Sequence, residues 1–192
     1  MVALTAGLLV AAYRIPAARA AAWVVHLQLA AALAEVDGDV HRLACFLAQV
    51  GHESGRLRYT REVWGPTPAQ RRYEPSTTLS RRLGNVRPGD GARYMGRGLI
   101  QVTGRANARQ MTRLLRELLG EQVPDFVAAP GLMESPLWAA LTAAAFWRSR
   151  GLNRYADARD FVGLTRRVNG GINGLADRQA LYSAALGALM RG

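Results

Sequence analysis

The chain has 192 residues, 49% of them apolar and 20% charged, the profile of one globular domain with its own core and not of a disordered, collagenous or coiled-coil chain. All 25 basic side chains are arginine and none is lysine, which excludes a lysine-dependent phosphate loop and Schiff-base chemistry. Against 14 carboxylates they leave a formal charge of +11, and the single cysteine, Cys45, rules out a disulfide within the chain.

Met1 to Tyr13 is almost wholly apolar, and Ala18-Arg19-Ala20 has the small residues of an export cleavage site. No positive charge leads this segment, and it is well short of the roughly 20 residues that span a bilayer, so a folded helix is expected in preference to a signal or tether. Thr5 is placed to cap that helix. Pro16 suits the first position of a second one, which runs to about Glu35 and ends at Asp37-Gly38. Residues 39–53 carry Leu43, Phe46, Leu47 and Val50 at i, i+3, i+4 and i+7, the stripe of a helix buried along one side. The pattern returns in Met111, Leu114, Leu115 and Leu118, and again in Tyr182, Ala185, Leu186 and Leu189. Ser135-Pro136 reads as a cap followed by a first-turn proline, opening a helix to about Arg150. Between residues 54 and 104 no helical period is sustained, and Gly, Pro and Arg abound, as in a long functional loop region between rigid helices.

The charge is concentrated. Residues 42–116 hold 15 arginines and four carboxylates (Glu53, Glu62, Glu74, Asp90), while the rest of the chain is balanced. Such a stretch points to a polyanionic partner: nucleic acid, anionic lipid, lipopolysaccharide or a carboxylate-bearing cell wall. A solvated basic face without a specific ligand is the alternative. His26, His41, His52 and Cys45 make a poor set of metal ligands, so neither a metal nor a cofactor is expected.

Glu53 continues the stripe of Phe46 and Val50, which puts its carboxyl at the edge of the core, a setting that favours the protonated form a general acid needs. Glu62 stands between Arg61 and Val63, and the arginine favours the ionised form a base needs. Two carboxylates in contrasting surroundings are the layout of glycosidic bond hydrolysis, although two glutamates nine residues apart also read as ordinary solvated side chains. Competing chemistries fail on spelling. His52-Glu53 begins like a zinc-protease helix, but Arg56 stands where the second His belongs. Ser54 is one place too late for a nucleophile elbow, and Gly89, Gly91, Gly96 and Gly98 lack the dinucleotide-binding spacing. If residues 99–103 are extended, Ile100 and Val102 face the core while Gln101 and Thr103 face the other way, toward a sugar or a water; a short strand with turn glycines and no ligand is the equal alternative.

With these residues in hand, the chain resembles glycoside hydrolase family 19, the chitinase-like fold of plant and bacterial chitinases and phage endolysins. The matching strings are Phe46 to Gly55, Gly96 to Gly104, Arg167-Val168-Asn169-Gly170-Gly171 and Ala176-Asp177-Arg178, in the expected order over roughly residues 40–182. The resemblance implies a mostly helical α+β domain, lysozyme-like or chitinase-like, with a substrate cleft. A single domain then covers residues 1–192, with N-terminal helices over 1–38 and a catalytic core over 39–192. It further implies an inverting reaction in which Glu53 is the general acid and Glu62 the general base, with Thr103 helping to hold the attacking water. Gln101, Asn107, Asn169 and Arg178 are implied to line the sugar cleft. Asn169-Gly170-Gly171 also reads as a helix end, where Asn and Gly adopt the left-handed conformation. Ala108 departs from the Tyr common after that Asn, which removes a candidate cleft aromatic. Trp64 is a candidate sugar-stacking platform, whereas Trp23, Trp138 and Trp147 lie in helical stretches and are expected in the core.

Chitin and peptidoglycan share a β-1,4 linkage to N-acetylglucosamine, so the motif does not choose between them. Chitin is neutral and peptidoglycan carries carboxylates, so the arginine excess favours a peptidoglycan muramidase of endolysin type, with a chitinase second. A non-catalytic cationic binder of wall, membrane or nucleic acid is a third reading, but no nucleic-acid-binding motif supports it. The expected partner is the glycan strand, with an anionic outer-membrane surface as a further candidate. The protein is expected to be a monomer, made in the bacterial cytoplasm and acting on the periplasmic wall.

Overall fold

The computed structural model describes residues 2–191; Met1 and Gly192 lie outside the described residues. The elements run α1 (Ala6–Tyr13), α2 (Ala17–Leu33), α3 (Val40–Glu53), α4 (Pro68–Arg71), α5 (Thr78–Leu83), α6 (Asp90–Arg93), α7 (Arg105–Leu119), a 3-10 turn at Pro130–Glu134, α8 (Pro136–Ser149), α9 (Asn153–Asp157), α10 (Phe161–Asn169) and α11 (Leu175–Leu189). The molecule is mostly helical. Among the described residues, β pairing is limited to two antiparallel bridges, Arg61 with Arg97 and Arg97 with Val102.

The apolar stripe places α3 at the centre. Leu43, Phe46, Leu47 and Val50 are all buried, each a gain of about 1.5–3 kcal/mol over the exposed side chain. α3 packs chiefly on α11, α2 packs on α8, and α1 lies against both α2 and α11. The Tyr13 hydroxyl at the end of α1 donates to the Leu47 carbonyl at 2.7 Å. A Cβ on Gly51 would lie 2.6 Å from the Tyr13 ring, so the N-terminal helices brace α3 at a point only glycine can occupy. Trp147 meets Phe46 edge to face at 5.3 Å. Trp23 and Trp147 are buried, and Trp138 is half-buried against Phe126. A second core between α7 and α8 contains Met111, Leu115, Phe126, Met133 and Leu141.

Several local expectations shift. Thr5 caps α1, accepting from the Leu8 amide at 3.1 Å, but Pro16 precedes the first turn of α2 and α2 ends at Leu33. Ser135 stands at the start of α8, but its hydroxyl donates back to the Leu132 carbonyl instead of capping the helix. On α11 the buried line is Arg178, Leu181, Ala185 and Leu189, with Tyr182 and Leu186 at its margin. The long loop region contains α4, α5 and α6, and the first two open with reciprocal capping boxes, Thr67 with Gln70 and Thr77 with Ser80. Four to six residues are too few to show a helical period.

Residues 99–103 are a turn, not a strand. Arg97 and Val102 exchange backbone hydrogen bonds of 3.1 and 2.7 Å, and Gln101 adopts φ +54°. That closed loop turns Leu99 inward in place of Ile100, which is half-buried, while Val102 stays inside. Among the described residues no single helix is long and apolar enough to cross a membrane; α1 and α2 pass that test only as a pair bent by 114°.

Candidate active site

Glu53 is the last residue of α3. The chain turns away immediately, because the Ser54 hydroxyl donates to the Val50 carbonyl at 2.7 Å and accepts from the Leu57 amide at 2.8 Å. Glu53 meets a guanidinium and not an apolar edge: Arg178 Nη2 donates to its Oε1 at 2.5 Å. Arg178 is almost wholly buried (1% exposed) and spends its other donors on Gln49 Oε1 and on the Asn173 carbonyl. Gln49 in turn donates to Thr165 Oγ1 on α10 at 3.1 Å. A buried charge with this many partners has one orientation available to it. The Asn173 carbonyl also accepts from Asn169 Nδ2 at 3.3 Å, so the Asn169-Gly170-Gly171 corner, the buried arginine and Glu53 form one connected system. Gly170 caps α10 with φ +78°, as the left-handed helix end requires.

Glu62 is held from three directions. Its Oε2 accepts from the Gly96 amide at 2.9 Å, and its Oε1 accepts from Gln70 Nε2 at 2.9 Å and the Tyr73 hydroxyl at 3.4 Å. Burial first, and the Glu62 charge second, push the Tyr73 hydroxyl above its usual range, so it remains a donor. The backbone is tied as well: the Glu62 amide donates to the Gly96 carbonyl at 2.8 Å.

Gly96 is where the remaining groups meet. A Cβ there would lie 2.7 Å from Gln101 Oε1 and 3.2 Å from Thr103 Oγ1, so the Gln101 amide and Thr103 hydroxyl crowd the residue whose amide holds Glu62. Thr103 Oγ1 donates to the Gln101 carbonyl at 3.0 Å, and Asn107 Nδ2 donates to the Thr103 carbonyl at 2.6 Å. Gln101, Thr103 and Asn107 line a cavity of about 400 Å³ whose other walls include Phe146, Arg150 and Arg167. Trp64 is half-buried and tilts against Tyr73, with ring centroids 6.1 Å apart. Ala108 is buried in the second core, so this position faces inward and not into the groove.

Sequence reasoning missed Gln49, Gln70, Tyr73 and the group around Asp177. Gln49 had a signal: it is a polar residue inside the run Phe46 to Val50, one helical turn before Glu53. Gln70 had another, as the third residue of a Thr-Pro capping box. Asp177 accepts from His52 Nδ1 at 2.7 Å and from Arg56 Nη2 at 2.5 Å. Burial works to raise its carboxyl, but the hydrogen bonds from His52 and Arg56 outweigh that and hold it below the usual range. Asp177 stands on α11 and holds His52, the residue before Glu53, so the pair fixes α3 against α11. Among the described residues no group of three or more His, Cys, Asp and Glu side chains is placed to hold a metal ion. Burial pushes the Cys45 thiol up to about 12, so it is an inert core side chain.

Glu62 is joined through Gly96 to the groove-lining Gln101 and Thr103, and Glu53 is joined through Arg178 to the Asn169 corner; a helical frame that holds two carboxylates in this way belongs with the chitinase-like fold. Chitinase C of Streptomyces griseus has this fold: it matches with a TM-score of 0.70 at 21% identity, over 97% of this chain and 92% of its own. A mutant of chitinase C matches with the same TM-score at 22% identity. In sequence, a glycosyl hydrolase family 19 domain-containing protein of Haemophilus influenzae is 34% identical over 184 residues, 83% of this chain and 86% of that protein. The chain belongs to glycosyl hydrolase family 19. An endochitinase of Arabidopsis thaliana is 36% identical over 130 residues, 67% of this chain but 39% of the plant protein. No protein-family model matches the chain.

Proposed function

We propose that the protein hydrolyses β-1,4 glycosidic bonds of bacterial peptidoglycan with inversion. Glu53 protonates the leaving oxygen, and Glu62 removes a proton from a water that attacks the opposite face of the sugar. The Thr103 hydroxyl helps to hold that water, while Gln101, Asn107 and Asn169 bind the sugars and Arg178 orients Glu53. Glu62 suits the base: three neutral donors fix its oxygens without neutralising it. As a wall enzyme it would be made in the bacterial cytoplasm and act in the periplasm.

The observation that carries the choice of substrate is the charge beside Glu62. Gln70 holds Glu62, and the next two residues of that segment, Arg71 and Arg72, are exposed with no carboxylate in ion-pair reach among the described residues. A neutral polymer has no use for that charge, whereas a wall bearing stem-peptide carboxylates is drawn to it. The second reading, a chitinase, is favoured by the relatives, one named an endochitinase and another chitinase C. Mass spectrometry of fragments released from purified peptidoglycan tests the proposal. New reducing ends on N-acetylmuramic acid are expected; release only from chitin would overturn the peptidoglycan reading.

A further inference from the structure

The cavity beside Gln101, Thr103 and Asn107 has a wall that neutral sugars do not explain. Arg150, which caps the C-terminal end of α8, and Arg167, from the last turn of α10, both line it. The Arg150 guanidinium lies over the Phe146 ring at 4.4 Å, and its Nη1 reaches the Arg167 carbonyl at 3.4 Å. Neither arginine has a carboxylate within ion-pair reach among the described residues. Partial burial and then the charge of Arg167 pull the Arg150 guanidinium below its usual range. Both side chains are exposed at the cavity and neither is neutralised by the protein, so they remain available to an anionic ligand.

We propose that Arg150 and Arg167 form a carboxylate-binding subsite in which a stem-peptide carboxylate of the glycan strand seats while its sugar meets Gln101, Thr103 and Asn107. This rests on the peptidoglycan reading of the same groove. The planar forks of the two guanidiniums match a carboxylate, and the Phe146 ring holds one of them in place before the ligand arrives. The cavity floor is polar enough to take a sugar and its substituent together: Gln101, Thr103, Asn107 and Gln110 contribute amides and a hydroxyl. The arginines therefore select for a charged substituent on the glycan and not for the glycosidic bond, which chitin shares.

The test compares soluble glycan fragments carrying free stem-peptide carboxylates with the same fragments amidated at those carboxylates. For the wild type, kcat/KM is expected to be about tenfold or more higher on the free acids, with the difference in KM. Arg150→Gln and Arg167→Gln should each erode that preference and the double variant should abolish it; Arg150→Lys, which keeps charge without the fork, should restore part of it. A wild type indifferent to amidation, or variants that lose activity equally on both substrates, would overturn the subsite. Calorimetric binding of a soluble disaccharide-peptide separates this from the substrate reading. Binding that needs both arginines in a protein that cleaves only chitin would keep the subsite and overturn the proposed substrate. Peptidoglycan cleavage with binding indifferent to both arginines would do the reverse.

Discussion

Arg178 reaches from the first turns of α11 to Glu53 at the end of α3, its Nη2 2.5 Å from Oε1, while the same guanidinium holds Gln49 one turn earlier on α3. The two helices thus share one buried charge, and the carboxylate is set by it. Arg178→Met removes the partner of three polar groups at once, Glu53, Gln49 and the Asn173 carbonyl. Breaking a buried pair costs about 3–5 kcal/mol, and partial exposure of Glu53 brings the expected loss to about 2–3 kcal/mol. For a chain of this size that is a fall in Tm of roughly 5–10 °C, read by calorimetry. Activity should fall at least as far as with Arg178→Lys, which keeps the charge but not the fork. A variant with wild-type Tm and activity would show that Glu53 does not depend on this contact.

Glu53→Gln separates chemistry from scaffolding at the same place. The amide keeps an oxygen for Arg178, so the fold should hold, but it has no acidic proton for the leaving oxygen. Turnover should drop by ~10²-fold or more, with substrate binding largely retained. Retention of more than about a tenth of the wild-type rate would remove Glu53 from the acid role.

Gly96→Ala probes the junction of Glu62, the proposed base, with Gln101 and Thr103. The added Cβ would fall 2.7 Å from Gln101 Oε1, the end of a flexible side chain, so the fold can yield but the amide must move. We expect kcat/KM to fall about tenfold or more, because small displacements of positioning groups are costly. Tm should change by no more than about 3 °C. A variant with full activity would place Gln101 outside the reaction.

Asp90 provides the clearest acid-dependent contribution to stability. It is buried and accepts from Arg105 Nη2 at 2.5 Å and from the Val86 and Arg87 amides. Burial alone would raise its carboxyl, but the Arg105 and amide hydrogen bonds prevail and lower it to about 2. Because the folded value lies below the unfolded 3.8, the stabilisation is present above pH 3.8 and is lost as pH falls toward 2. Denaturant titrations should show Asp90→Asn less stable than wild type by about 2 kcal/mol at pH 7, with the gap closing below pH 3. A gap independent of pH would place the effect in packing.

The long helices were legible because α3 and α7 carry an amphipathic period over 14 and 15 residues. The short helices were not, since α4 and α6 have four residues each and are fixed by caps and side-chain bonds. The turn at 99–103 was misread for a related reason. Its conformation is set by the Arg97–Val102 backbone pair and by Gly98 docking on Thr60, contacts that no local pattern announces. In the site, Glu53 and Glu62 stood out as a carboxylate pair only once the family resemblance set them apart from solvated glutamates. Their partners were fainter: Gln70 and Tyr73 reach Glu62 only because the loop between them folds back, and Gln49 and Asn173 act through Arg178, a contact made only when α3 and α11 pack.

The arginine-rich stretch yields the last prediction. Exposed charges are screened over a Debye length of about 8 Å at physiological ionic strength, so attraction of a polyanionic wall by dispersed arginines must weaken as salt rises. Arg71, Arg72, Arg81 and Arg82 are exposed on α4, α5 and the turn between them, near the segment that holds Glu62. Activity on peptidoglycan should therefore fall with added salt more steeply than activity on neutral chitin oligomers. Replacing Arg71 and Arg72 together, or Arg81 and Arg82 together, with Gln should flatten the peptidoglycan curve and lower its low-salt starting point. Initial rates from about 0.02 to 0.5 M salt on both substrates measure this, a range over which the screening length shrinks severalfold. Parallel salt curves on the two substrates would remove the electrostatic ground for preferring peptidoglycan and leave chitin as the better-supported polymer.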